Sequence, residues 1–90
     1  MTKTAPVHVA LKLYASLADY LPPEARRTHR AELDLPPGTT VSEVIGQHNL
    51  PPKMCHLVLV NGVFVPPGER AARALAEGDE LAIWPPIAGG

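Results

Sequence analysis

Ten of this chain's eleven prolines fall in five adjacent pairs: Pro22-Pro23, Pro36-Pro37, Pro51-Pro52, Pro66-Pro67 and Pro85-Pro86. A proline ring fixes φ, removes a backbone donor and pushes the preceding residue toward extended geometry, so a pair cannot lie inside a helix or a central strand. The pairs therefore mark element boundaries between apolar segments. The chain reads as a series of short elements, not as a proline-rich disordered polymer. At 90 residues it amounts to one domain with a single modest core.

Periodicity assigns the segments between those boundaries. Val7, Val9, Leu11 and Leu13 alternate with His8, Ala10 and Lys12, so Val7 to Tyr14 is a half-buried strand, with Tyr14 on the outward face. Ala15 to Leu21 predicts a short helical turn before Pro22. Leu33 and Leu35 alternate with Glu32 and Asp34 in a second strand that is polar outside. Thr40-Val41-Ser42-Glu43 has the spacing of a capping box, and Val41, Val44, Ile45 and His48 follow at i, i+3, i+4 and i+7. One helix thus covers one sheet face until Asn49 and Pro51 end it. Asn61-Gly62 between Leu57–Val60 and Val63–Val65 is a two-residue hairpin signal, and a last strand runs from Glu80 to Trp84 after a turn at Gly78-Asp79. Strand, strand, helix, hairpin, strand gives an α+β fold, a mixed sheet with one main helix on one face. With the last strand parallel to the first, this is a β-grasp, or ubiquitin-like, fold. Residues 1–84 form the domain and 85–90 an extended tail.

Strand parity then points to a surface. If Val60 pairs with Val63 in the hairpin, Val58, Val60, Val63 and Val65 share one face, while Leu59 and Phe64 oppose each other on the reverse. In the last strand Leu81 and Ile83 face one way, Ala82 and Trp84 the other. With the aliphatic faces against the helix, Tyr14, Leu59, Phe64 and Trp84 converge on the uncovered side, and three of the four aromatics are exposed together. Such a patch on a small domain reads as an interface anchored by its aromatics. The competing arrangement folds Leu17 to Tyr20 or Ala71 to Leu75 over that face.

The final stretch, Trp84-Pro85-Pro86-Ile87-Ala88-Gly89-Gly90, follows directly from the patch. Its prolines stiffen a polyproline-like strut, and six residues at about 3.1 to 3.4 Å each reach about 20 Å. Gly89 and Gly90 remove side-chain bulk, so that part of the chain can pass through a narrow channel and adopt whatever φ the channel imposes. The bland alternative is a frayed chain end.

Several blocks of this sequence resemble the MoaD/ThiS family of ubiquitin-like sulfur carriers: Leu11 to Leu17, Thr40 to Val44, Leu59-Val60-Asn61-Gly62, and above all Glu77 to Gly90. The likeness covers nearly the whole chain after Pro6 and is closer to MoaD, the small subunit of molybdopterin synthase, given the residues at Tyr14, Phe64 and Trp84. The resemblance implies that Gly90, with Gly89, is the reacting end. An E1-like adenylyltransferase of the MoeB/ThiF type adenylates its carboxylate with ATP, the product is converted to a thiocarboxylate, and sulfur passes to a biosynthetic enzyme. That acceptor would be the molybdopterin synthase large subunit or, alternatively, thiazole synthase. The chain itself would then be a macromolecular co-substrate and no enzyme, binding no cofactor, with Tyr14, Leu59, Phe64, Trp84, Pro85, Pro86, Ile87 and Ala88 as partner contacts. A ubiquitin-like modifier joined to lysines through Gly90, and a structural subunit using the aromatic face alone, are the other readings.

The remaining features argue against other classes. Eight basic and nine acidic residues give a net charge of -1, and the basic residues are not interleaved with aromatics, which argues against nucleic-acid binding. No leader-like or membrane-length apolar run occurs, and a lone cysteine makes no internal disulfide, so the expectation is a cytoplasmic protein, monomeric when free. Cys55-His56 invites a thiol–imidazole pair, but adjacent side chains generally point apart and no acid orients the histidine. His8, His29, His48 and His56 lack metal-ligand spacing, so no metal is expected. Asp19, Glu24, Glu77, Asp79 and Glu80 read as dispersed surface acids.

Overall fold

The computed structural model describes residues 5–86. Five strands form one mixed sheet: β1 (Val7–Leu13), β2 (Arg30–Leu35), β3 (Leu57–Val60), β4 (Val63–Phe64) and β5 (Glu80–Trp84). Their spatial order is β2-β1-β5-β3-β4, with β1 and β5 parallel and every other pair antiparallel. Among the described residues there is one α-helix, α1 (Val41–Gln47), between β2 and β3 in the chain. This is the β-grasp arrangement.

Local chemistry explains the joints. Thr40 caps α1 with both bonds of the capping box: Glu43 N donates to Thr40 Oγ1 at 3.2 Å and Thr40 N donates to Glu43 Oε1 at 2.8 Å. Asn49, at φ 57°, turns the chain out of the helix before Leu50 and Pro51. The hairpin turn has both central residues in the left-handed region, Asn61 at 52° and Gly62 at 83°, as a type I′ turn requires. The proline pairs do more than interrupt: Pro23, Pro52 and Pro67 each open a one-turn 3-10 helix.

The core lies between the sheet and α1 and is built from Val9, Leu11 and Leu13 of β1, Val58 and Val60 of β3, Leu81 and Ile83 of β5, and Val41, Val44 and Ile45 of the helix. Seven helical residues span only about 10 Å, too short to roof a five-stranded sheet. The connecting segments complete the cover with Leu17, Leu21, Ala25, Leu50, Cys55, Val65 and Leu75, all buried in the same cluster. Leu17 and Leu75 thus point into the core. Val63 departs from the expected pattern: it pairs with Val60 as parity requires, but it sits on an edge strand beyond the helix and is 68% exposed.

Two buried charged residues hold the loops. The Arg70 guanidinium donates to the carbonyls of Val65 (3.1 Å), Cys55 (2.8 Å) and His56 (3.5 Å), satisfying backbone that no strand partner reaches. Asp79, expected at the surface, is buried. Its carboxylate accepts from Asn61 Nδ2 and from Ala76 N, each at 2.8 Å, and so ties the hairpin turn to the turn before β5.

Candidate functional site

The strand registers lay the outer face of the sheet out in rows. His8 lies opposite Asp34, and Ala10 is flanked by Glu32 on β2 and Glu80 on β5. The next row runs Arg30, Lys12, Ala82, Leu59, Phe64 across all five strands. The last row contains Tyr14, which follows Leu13, then Trp84 beside it and Leu57 opposite Trp84. One end of the face is therefore charged and the other apolar.

At the charged end the groups satisfy one another. His8 Nδ1 lies 3.0 Å from Asp34 Oδ1 and its Nε2 2.5 Å from Glu32 Oε1; two carboxylate acceptors favour a ring protonated on both nitrogens, and they raise its pKa, Asp34 first and Glu32 second. Arg30 bridges Glu32 (2.5 Å) and Glu80 (3.2 Å), and Lys12 lies 3.4 Å from Glu80. Hydrogen bonds from Arg30, then from His8, hold the Glu32 carboxyl below its ordinary pKa, and Glu32 in turn raises that of Arg30.

Among the described residues the side chains at the apolar end stay partly open. Trp84 is 40% exposed, Phe64 49% and Leu57 37%, while Tyr14, Leu59 and Ala82 are half-buried. Tyr14 and Trp84 stack face to face, with ring centroids 3.9 Å apart and planes 5° from parallel. All four residues of the expected patch, Tyr14, Leu59, Phe64 and Trp84, lie on this face. Leu57, which shares the parity of Leu59, and His29, which stacks on Tyr14 at 5.8 Å and 13°, join it without having been singled out. Leu57 was readable from alternation alone. His29 was not, because only the β1–β2 register brings it beside Tyr14.

The chain leaves the sheet from this corner. Trp84 ends β5, its carbonyl accepts from His56 N at 3.0 Å, and Tyr14 N donates to the Ile83 carbonyl at 3.2 Å. Pro85 is half-buried and Pro86 exposed. Ile87, Ala88, Gly89 and Gly90, the rest of the expected site, lie outside the described residues.

The comparisons fit this geometry. The model of the ThiS family matches residues 14–90, which spans both the apolar rows and the diglycine. The chain belongs to the ThiS family. The resemblance to MoaD/ThiS proteins read from the sequence therefore stands. No curated protein sequence matches the chain. Among solved structures, SAMP1 from Haloferax volcanii is 28% identical, with a TM-score of 0.63, covering 92% of this chain and 99% of its own. The HVO 2177 protein of the same organism superposes with a TM-score of 0.72 at 21% identity, over 100% of this chain and 92% of that one. A Pyrococcus furiosus protein described as molybdopterin converting factor, subunit 1, has a TM-score of 0.60 at 20% identity, over 90% and 99% of the two chains. At those identities the last two show a shared fold.

The sheet's other face carries a different concavity. A groove of about 800 Å³ runs beside α1 between Ile45, Leu50, Pro51, Cys55 and Pro67. The Cys55 thiol is buried there, donating to the Pro51 carbonyl at 3.5 Å, and burial pushes its pKa up, which keeps it protonated and poorly nucleophilic. His56 beside it is exposed, so no thiol–imidazole pair forms a nucleophile. Among the described residues no three or more of His, Cys, Asp and Glu come together as metal ligands, and no helix is long and apolar enough to cross a membrane.

Proposed function

We propose that this protein is a sulfur carrier whose Gly90 carboxylate is the reacting group and whose outer-face apolar rows dock the enzymes that act on it. The observation that supports this most is the position of Trp84. It is at once the last residue of β5, the exposed centre of the aromatic patch and the residue from which the Pro85-Pro86 strut leads to Gly89-Gly90. A partner gripping that corner holds the tail at its root, and about 20 Å of tail is enough to carry Gly90 into an active site.

An α-carboxylate is ionised at neutral pH and is a poor electrophile. Its oxygen attacks the α-phosphate of ATP on an E1-like adenylyltransferase, releasing pyrophosphate and forming an acyl-adenylate. Sulfide (HS⁻) then attacks the acyl carbon, displaces AMP and loses its proton, leaving a thiocarboxylate. This chain supplies the carboxylate and the docking face. The partner supplies the catalytic groups and the nucleotide site, which makes the chain a co-substrate. The resemblance to MoaD favours molybdopterin synthase as the sulfur acceptor, with thiazole synthase second. The test is intact-mass measurement after incubation with an adenylating enzyme of this type, ATP and a sulfur donor. One oxygen-to-sulfur exchange at the C-terminus is expected. ATP turnover with no mass change would refute the reading.

A second reading, conjugation to lysines through Gly90, is favoured by the likeness to small archaeal modifier protein 1 of H. volcanii, 27% identical over 90% of this chain and 99% of that one. Isopeptide-linked Gly-Gly remnants on other proteins, recovered from cells after proteolysis, would support it. Recovery of the free chain alone would remove it.

A further inference from the structure

His29 sits where β2 begins, at the end of the last row of the outer face, and its backbone has a φ of 59°, in the left-handed region where few side chains but Asn, Asp and His are common. Two hydrogen bonds fix it to one residue of β1: Leu13 N donates to the His29 carbonyl at 3.1 Å, and His29 Nδ1 donates to the Leu13 carbonyl at 3.1 Å. A carbonyl can only accept, so Nδ1 carries a proton and the ring orientation is set. That ring lies against Tyr14, and Tyr14 lies against Trp84, giving three near-parallel rings across neighbouring strands. The column is outside the core, because Trp84 is exposed and the other two rings are half-buried. It also ends on the residue from which the tail departs.

From this juxtaposition we infer that His29 is a positioning residue. Acting through Tyr14, it holds the Trp84 indole in one orientation, and with it the root of the Pro85-Pro86 tail, for the enzyme that activates Gly90. The inference rests on the carrier reading above. Its physical basis is preorganisation: an indole already fixed against Tyr14 need not lose rotamer freedom when the partner docks. Aromatic stacking has the geometry to do this without touching the partner itself.

The test uses His29→Asn, which accepts the left-handed backbone and removes the ring, with His29→Gly as a second ring-free variant that relaxes the backbone further. Because Trp84 is the chain's one tryptophan, its fluorescence reports the column directly. Both variants should unfold cooperatively and show greater acrylamide quenching of Trp84 than the unmodified chain. In ATP–pyrophosphate exchange with an adenylating enzyme of the MoeB/ThiF type, KM for the chain should rise about three- to tenfold with kcat unchanged. Unchanged quenching in both variants would overturn the inference. So would increased quenching with an unchanged KM, or a fall in kcat in place of the rise in KM. If the unmodified chain supports no exchange at all, the carrier reading fails and the activation role of His29 fails with it. The quenching comparison would still decide whether His29 orders Trp84.

Discussion

Replacing Phe64 by lysine separates docking from folding. Phe64 lies on the outer face of β4 opposite Leu59 and is 49% exposed. Full burial of a phenylalanine contributes about 1.5 to 3 kcal/mol, so the half that is covered contributes about 1 kcal/mol. The methylene stem of lysine recovers part of this on an edge strand that tolerates charge. The expected cost to stability is therefore about 0.5 to 1 kcal/mol, a lowering of Tm by at most about 8 °C in a domain of this size. Docking should suffer more, because an aromatic interface anchor contributes about 2 kcal/mol or more, which is roughly 30-fold in Kd. Thermal unfolding and calorimetric binding to the activating enzyme, run on the same preparation, read both quantities. Val58→Ala, at a position with no exposure on the opposite face of β3, should reverse the pattern, with a stability loss of about 2 kcal/mol and unchanged affinity. Loss of cooperative unfolding in Phe64→Lys, or full affinity in that variant, would refute the assignment of the faces.

Asp79→Ala removes the carboxylate that accepts from both Asn61 Nδ2 and Ala76 N at a partly buried junction, and denaturant unfolding should show a loss of about 1 to 3 kcal/mol. The pKa of His8 is raised, so its contribution is fully present below the ordinary histidine value of about 6.5 and is lost as pH rises through the higher folded value. Glu32 is shifted down, so its contribution is fully present above the ordinary glutamate value of about 4.3 and is lost as pH falls through its lowered value. The charged rows should therefore be most stabilising between about 4.3 and about 6.5. An NMR titration of the His8 ring that finds a midpoint at or below 6.5 would contradict this. Cys55, buried with a raised pKa, should react with iodoacetamide at neutral pH only as fast as the protein opens, and rapid stoichiometric labelling of the folded chain would show otherwise.

Much of the fold was legible because its determinants are local. The Thr40–Glu43 box, the Asn61-Gly62 turn and the alternation of β1, β3 and β5 each depend on residues a few positions apart, and each forms in the structure as its chemistry requires. The proline pairs were legible as boundaries but not as 3-10 starts, since both uses place proline in the same conformation. What the sequence concealed depends on distant segments meeting. Arg70 and Asp79 look like surface charges until the loop carbonyls of Cys55, His56 and Val65, or the amides of Asn61 and Ala76, are brought to them. Val63 has core parity, but parity assigns a face and not a roof, and a seven-residue helix does not reach it. Of the candidate site, the convergence of Tyr14, Leu59, Phe64 and Trp84 followed from strand pairing alone. The stacking that fixes Trp84 required the register of β1 against both β2 and β5.

In the proposed carrier the apolar rows select the enzyme and the terminal carboxylate undergoes the chemistry. A chain lacking Gly89 and Gly90 separates these roles when used as an inhibitor of ATP–pyrophosphate exchange supported by the full-length chain. The shortened chain should not be activated but should compete, raising the apparent KM of the full chain and leaving the maximal rate unchanged. Activation of the shortened chain, or absence of competition at concentrations well above KM, would contradict this division of roles.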